Sequence, residues 1–118
     1  MHNESRQHLD DIFESHGRVE ELDIDEEFAI HMADPRRQHY KHLVSEKEVR
    51  QVHAVAPEYF ENEGENRRTP IIMVGPTETG RIVCVPIEPT HARGLWYPVT
   101  AFEANTHDKE RYEARQGS

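Results

Sequence analysis

The protein has 118 residues and a mass of 13.8 kDa, which suits one domain of ordinary size. Charged residues make up 31% of the chain, and no apolar run approaches the roughly 18 residues that a membrane span needs. The net charge of -9 opposes non-specific binding to nucleic acid, because lysine and arginine must replace the counterions of the phosphates. The sequence therefore predicts no membrane partner and no direct non-specific binding to DNA.

The acidic charge belongs to the first half of the chain. Residues 1–66 contain 7 lysines and arginines against 17 aspartates and glutamates, whereas residues 67–118 contain 7 against 6. The two halves therefore carry net charges of -10 and +1, an asymmetry that predicts different partners for each half. The single cysteine excludes an internal disulfide framework, and the first residues lack the pattern of a signal peptide. We therefore expect a cytoplasmic setting.

The first elements predicted are a helix, a short strand and a second helix. Residues 4–16 have apolar side chains at helical spacing, within a polar N-terminal arm or helix that spans 1–20. Residues 19–24 alternate weakly between polar and apolar side chains, which is typical of a strand. Asp25 then has the side chain of a helix cap and predicts a helix over 26–33.

A capping box predicts where the next long helix begins. The Ser45 hydroxyl is placed to accept from the backbone N–H of Glu48, and the Glu48 carboxylate from that of Ser45. Residues 35–43 before it are predicted to be helical, and the acidic residues 58–69 are predicted to form an exposed loop. Pro57 ends the helix, which presents three valines to a core: Val49, Val52 and Val55.

The second half of the chain predicts three strands and a final helix. Residues 71–74 and 81–85 are apolar runs separated by a turn that contains glycine, and Pro86 predicts that the second strand ends at an edge or a bulge. Residues 95–102 are predicted to form the third strand, and Asn105 or Thr106 is predicted to cap a last helix over 107–115.

The order of these elements predicts the fold class. N-terminal helices, then a small antiparallel sheet of three or four strands, then a C-terminal helix make an α+β protein. Residues 21–115 are predicted to form its single domain, and residues 116–118 a tail. Three residues of this half are expected in the core: Cys84, Trp96 and Tyr112.

Three segments resemble the BrnT family of type II toxins, which are small RelE-like ribonucleases paired with a DNA-binding antitoxin. The segments read HLVSEKEV at 42–49, IIMV, TGR and IVCV within 71–85, and WYPVTA followed by THDKERY within 96–112. Their order and spacing carry the resemblance, which covers about residues 40–115. It implies a RelE-like fold, metal-independent cleavage of mRNA without a cofactor, and a cognate antitoxin as partner. RNA or the ribosome is the expected target, and the oligomeric state stays open.

Four residues are candidates for the catalytic chemistry. Metal-independent RNA cleavage needs a base, an acid and a cation that stabilises the phosphorane. Histidine suits the first two roles because its ordinary pKa lies near neutrality, and the planar fork of arginine suits the third. His91 and Arg93 share one loop, and His107 and Arg111 lie one helical turn apart. The alternative interpretation is that all four are solvated surface residues.

The candidate substrate-binding residues are cationic or aromatic. Tyr97 neighbours Trp96 on the same strand and therefore points to the opposite face, where a half-exposed ring can stack on a base. The full set is Arg67, Arg68, Arg81, Lys109 and Tyr97. No metal site is predicted, because the His39 and His42 pair, at i,i+3 spacing, has no further ligand at a recognised spacing.

A second hypothesis is a non-catalytic, acidic protein-binding module on the same fold, without nuclease activity. Two observations favour it. The net charge is -9, and Phe102 stands where the family's Thr-Ala-Arg motif has its arginine. In this hypothesis the acidic first half engages a basic partner.

Overall fold

The computed structural model describes residues 4–34, 36, 44–62 and 68–117, without the side chains of residues 4–7. The described residues form four helices: α1 (Glu4–His16), α2 (Glu26–Met32), α3 (Glu46–Ala54) and α4 (Thr106–Gln116). They also form six strands: β1 (Glu21–Leu22), β2 (Glu58–Glu61), β3 (Ile71–Pro76), β4 (Ile82–Pro89), β5 (Leu95–Pro98) and β6 (Phe102–Glu103). Within these ranges no helix is long and apolar enough to cross a membrane. Apart from residue 36, the helix predicted over 35–43 lies outside the described residues, as do His39, His42 and Arg67.

The strands form one mixed sheet in the order β1-β5-β4-β3-β2, and β6 pairs with β4. Strands β2 to β5 pair antiparallel, whereas β1 pairs parallel with β5 and sets Leu22 opposite Trp96. The predicted α+β class is confirmed. The sheet has six strands among the described residues, more than the three or four predicted. It is mixed and not purely antiparallel, because β1 pairs parallel with β5.

Helices cover both faces of the sheet. One face, here called the helix face, packs its side chains with those of α1, α2 and α3 in the larger core. This core contains the fully buried Trp96, and Phe13 and Val52 are other members of it. The opposite face, here called the α4 face, carries a smaller core under the last helix. Its buried members are Phe60, Val74, Cys84, Ala104 and Tyr112.

The helices begin where their caps predicted. The Asp25 carboxylate accepts from the Phe28 N–H at 2.9 Å, and the Ser45–Glu48 capping box is complete, with distances of 3.0 and 3.2 Å. The Asn105 side chain accepts from the Asp108 N–H at 2.8 Å and starts α4. These contacts satisfy N–H groups that have no partner within a helix.

The prediction of a loop over 58–69 was wrong at its start. Residues Glu58–Glu61 are β2, the edge strand beyond β3, and its Phe60 is buried opposite Ile72. The strand forms despite its acidic ends because one buried ring anchors it while the glutamates reach solvent at the edge. The prediction for Val55 was also wrong, since α3 ends at Ala54 and leaves the Val55 side chain 58% exposed.

Pro86 does not end its strand, contrary to the prediction. The strand β4 continues to Pro89, and the neighbour on its far side changes at Pro86 from β6, which pairs with Val83 and Cys84, to β5. A proline is tolerated where the ladder is interrupted, since it has no N–H to donate. The same interruption divides the single strand predicted over 95–102 into β5 and β6.

Two glycines join α1 to the sheet. Gly17 has φ +85, and a Cβ atom added to it would lie 2.7 Å from the Gly94 N, so only glycine fits there. The Gly94 N–H donates to the His16 carbonyl at 2.9 Å, and the Trp96 indole N–H donates to the Gly17 carbonyl at 3.1 Å. We call this contact between the end of α1 and the β4–β5 loop the Gly17–Gly94 junction.

Replacing Gly17 by alanine should destabilise the protein more than the same change at Gly80. Both glycines have φ +85, which costs a residue with a Cβ about 1–2 kcal/mol, but a Cβ at Gly80 meets no atom within 4 Å. At Gly17 the clash with the Gly94 backbone is added. Urea unfolding of both variants measures the difference, and equal losses would contradict a close backbone contact at the junction.

Tyr112 should anchor α4 through its ring. It is 8% exposed and packs in the α4-face core, so Tyr112→Ala should lower the free energy of unfolding by roughly 2–4 kcal/mol. Tyr112→Phe keeps the ring and should change it by less than about 1 kcal/mol. Thermal melts of both variants test this, and similar melting of the two would show that the hydroxyl, not the ring, holds the helix.

Candidate functional site

The four predicted catalytic residues lie in two separate places. His91 and Arg93 are in the β4–β5 loop, whereas His107 and Arg111 are on α4. The helix α4 reaches the sheet at Cys84, whose Sγ lies 3.6 Å from the Asp108 carboxylate. Cys84 is five residues before the loop end of β4, which is about 16 Å along a strand. The structure thus separates the two predicted pairs.

Arg93 belongs to the Gly17–Gly94 junction. Its guanidinium Nη1 donates to the carbonyls of Glu14 and Ser15 at 2.8 and 3.4 Å, at the C-terminal end of α1. A cation at this end of a helix satisfies free carbonyls and is favoured by the helix dipole. The contacts of Arg93 therefore explain it as a helix cap.

His91 opens onto a cleft that also contains two predicted substrate-binding residues, Arg68 and Tyr97. The cleft has a volume of about 340 Å³. Arg68 makes a two-pronged ion pair with Glu88, at 2.8 and 3.2 Å, and the Tyr97 hydroxyl donates to Asp25 at 3.2 Å. Partial burial, and then the hydrogen bond to Asp25, raises the pKa of Tyr97.

Carboxylates dominate this cleft. Among the described residues, four acidic side chains line it against a single arginine, and that arginine is already paired. The acidic residues are Asp23, Asp25, Glu27 and Glu88. A phosphate in the cleft would meet like charges, so its chemistry favours a cationic ligand over RNA.

Two arginines of α4, Arg111 and Arg115, lie against an aromatic ring of β2. The guanidinium carbons of Arg111 and Arg115 lie 4.2 and 4.0 Å from the centroid of the Phe60 ring, and Arg115 also donates to the Tyr59 carbonyl. Arg111 pairs with Asp108 at 3.3 Å, and its buried Nε has no hydrogen-bond partner in the described part of the chain. The two arginines are thus held in place by one aromatic ring.

His107 lies exposed on the first turn of α4, one turn before Arg111, and Lys109 is half-buried on the same helix. Sequence reasoning left Arg115 out of the site. The sequence nevertheless indicates that Arg115 shares a helix face with the candidates, because it follows His107 and Arg111 at i,i+4 spacing. What the sequence lacked was Phe60, which was predicted to lie in a loop.

Arg81, which directly precedes β4, forms ion pairs with α3 and β6 on the helix face. Its guanidinium Nη1 lies 3.2 Å from the Glu48 carboxylate on α3, and its Nε lies 3.6 Å from that of Glu103 on β6. These contacts place Arg81 away from the α4 pair. The described residues contain no group of three or more histidine, cysteine or acidic side chains arranged to hold a metal ion.

Comparisons of the chain with protein-family models, with curated proteins and with solved structures find no match. The resemblance to the BrnT family therefore rests on the three segments described above. In the structure, the described parts of these segments form the start of α3, the β3–β4 hairpin, and β5 through α4.

The Cys84 thiol should react slowly with alkylating reagents in the folded protein. Burial, and secondarily the Asp108 carboxylate, raises its pKa from 9.0 to about 12, so the reactive thiolate is scarce near pH 8. Alkylation by iodoacetamide should be more than about 100-fold slower than in urea, because the raised pKa leaves only about a thousandth as much thiolate. Mass spectrometry of timed samples measures both rates, and similar rates would contradict the burial of Cys84.

The same thiol should weaken the protein at alkaline pH. The folded state holds the Cys84 proton more tightly than the unfolded chain, because its pKa is raised from 9.0 to about 12. The stabilising effect is therefore complete below pH 9 and is lost as pH rises toward 12. Cys84→Ala should show a smaller fall in stability across this interval than the parent. Denaturant titrations at several pH values provide the test. An equal fall in the free energy of unfolding of the variant and the parent would contradict the prediction.

Proposed function

We propose that the protein is a BrnT-like toxin of a type II toxin–antitoxin pair, with a RelE-like fold. It would act in the cytoplasm as a metal-independent endoribonuclease on mRNA and be neutralised by a cognate antitoxin. The single observation that supports this most is the pair on α4. There the exposed His107 stands one turn from Arg111, whose guanidinium rests on Phe60 and carries a buried Nε without a hydrogen-bond partner among the described residues.

In this proposal the chemistry belongs to α4 and not to the β4–β5 loop. His107 accepts the proton of the 2′-hydroxyl as its oxygen attacks the phosphorus, and water protonates the leaving 5′-oxygen as its bond to phosphorus breaks. Arg111 stabilises the negative charge that develops on the phosphorane. Lys109 and Arg115 add positive charge near the RNA backbone. Stacking on Phe60 limits the motion of both guanidiniums, so less freedom is lost when they bind phosphate.

A second function, the non-catalytic protein-binding module, is favoured by a different observation. Three of the predicted cations are already paired with carboxylates, namely Arg68 with Glu88, Arg81 with Glu48, and Arg111 with Asp108. The cleft that contains His91 and Tyr97 is lined by acidic residues. A surface of this kind suits a basic protein partner better than RNA.

His107→Ala should reduce RNA cleavage by about 100-fold or more, the usual contribution of a general acid or base. The matched control is His91→Ala, which removes an exposed histidine from the acidic cleft and should leave the rate within about three-fold of the parent. The measurement is cleavage of mRNA by purified protein, with growth of the host on expression as a second readout.

The outcomes separate the two functions. Loss of activity in His91→Ala but not in His107→Ala would move the chemistry to the loop and contradict the α4 site. Intact RNA at high protein concentration, together with normal growth, would contradict the nuclease proposal and leave the binding module. Thermal melts of both variants show whether a lost rate reflects lost folding.

A further inference from the structure

Among the described residues, β1 leaves one edge of the sheet unpaired. The backbone N–H groups of Glu21 and Asp23 donate toward β5, to the carbonyls of Gly94 and Trp96 at 3.1 and 2.8 Å. Successive residues of a strand direct their backbone groups to opposite sides, so the Leu22 N–H faces away from β5. The sheet formed by the described residues has no strand beyond β1 on that side. Such an edge is a template for another extended chain.

The two faces of this edge differ in chemistry. Leu22 lies opposite Trp96 on the helix face, and it and Ile24 are half-buried against the larger core. Next to them is a surface cavity of about 290 Å³, which Glu20 and Glu21 also line and whose far side is formed by Arg50 and His53 of α3. On the other face Glu21 and Asp23 are exposed, and Asp23 also lines the acidic cleft. An incoming strand would therefore meet the apolar side chains of Leu22 and Ile24 on one face and the carboxylates of Glu21 and Asp23 on the other.

We propose that the β1 edge binds an extended segment of another protein by strand addition, and that this segment alternates basic and apolar side chains. The alternation follows from the two faces, because every second side chain of the added strand points the same way. Its apolar side chains pack against Leu22 and Ile24. Its lysines or arginines lie beside Glu21 and Asp23.

A second copy of this chain does not fit the edge. Pairing two β1 edges would bring together the acidic residues in and around each strand, namely Glu20, Glu21, Asp23 and Asp25 from both copies. Like charges on adjacent strands are destabilising, and charged edges are a common protection against self-association. The same charges attract a basic segment, so complementarity selects a different protein.

This inference goes beyond the proposed nuclease activity, since it concerns the sheet edge farthest from α4 and needs no RNA chemistry. It holds whether the protein is a toxin or a binding module. A measurement of peptide binding therefore tests it separately from RNA cleavage, and either result leaves the other open.

The probe is a fluorescent nine-residue peptide of alternating lysine and valine, titrated with the protein and followed by anisotropy. Reversing two charges beside the strand, Glu21→Lys with Asp23→Lys, should weaken binding by at least about ten-fold. The matched control, Glu110→Lys with Glu113→Lys, makes the same charge change at exposed positions of α4 and should stay within about two-fold. Equal weakening by both pairs, or no binding up to about 1 mM, a weak-affinity limit, would overturn the proposal.

Backbone pairing has its own test in the unaltered protein. Hydrogen exchange followed by NMR should show the Leu22 amide exchanging rapidly in the free protein and at least about ten-fold more slowly with the peptide bound. A peptide N-methylated at every second residue, on the side that pairs, should bind at least about ten-fold more weakly because its donors are removed. A Leu22 amide that is already protected in the free protein, or equal binding of the methylated peptide, would overturn strand addition.

Discussion

The Gly17–Gly94 junction is the contact on which the rest of the structure depends. Two chain segments that are far apart in sequence meet there through their backbones, at a distance that no side chain permits. The Gly94 carbonyl accepts from both Glu20 and Glu21, so the junction also begins the pairing of β1 with β5. Trp96, hydrogen-bonded to Gly17 and fully buried, then fills the space between α1 and the sheet. One close backbone approach thus fixes the first helix, the first strand and the largest core side chain.

The junction also determines what remains for function. Within the junction Arg93 caps the end of α1, so it is not available for catalysis. The same loop places His91 beside the acidic residues that follow β1. Within the described residues, this leaves α4 as the element where a predicted histidine and a predicted arginine lie one helical turn apart, outside the acidic cleft. The helix itself depends on Phe60, because that ring supports Arg111 and Arg115 from below. The candidate site therefore rests on an edge strand.

Local signals in the sequence predicted the helices well, and long-range contacts explain what they missed. The caps at Asp25 and Ser45 act within three residues, so their chemistry can be read in the sequence itself. The strand β2 was missed because its one buried residue, Phe60, acquires its role only from β3 and α4, which come later in the chain. The parallel pairing of β1 was missed for the same reason.

The candidate site was less predictable than the fold, because charge pairing is a tertiary property. The sequence shows Arg68, Arg81 and Tyr97 as available groups, whereas their partners Glu88, Glu48 and Asp25 lie 20, 33 and 72 residues away. Composition had indicated an acidic half and a neutral half. The structure shows that much of the positive charge of the neutral half is paired, some of it with carboxylates of the acidic half.

The two surfaces that carry the proposals lie at opposite edges of the sheet. β1 and β2 are separated by four strand spacings, about 19 Å, and the arginines of α4 rest on Phe60 in β2. A short segment added to β1 therefore leaves His107 and Arg111 uncovered. An antitoxin that used the β1 edge would need a second contact to cover α4, and linking the two contacts would strengthen both through effective concentration. Binding at the edge and inhibition of cleavage are consequently separable properties of such a partner, and a truncated partner should keep the first while losing the second.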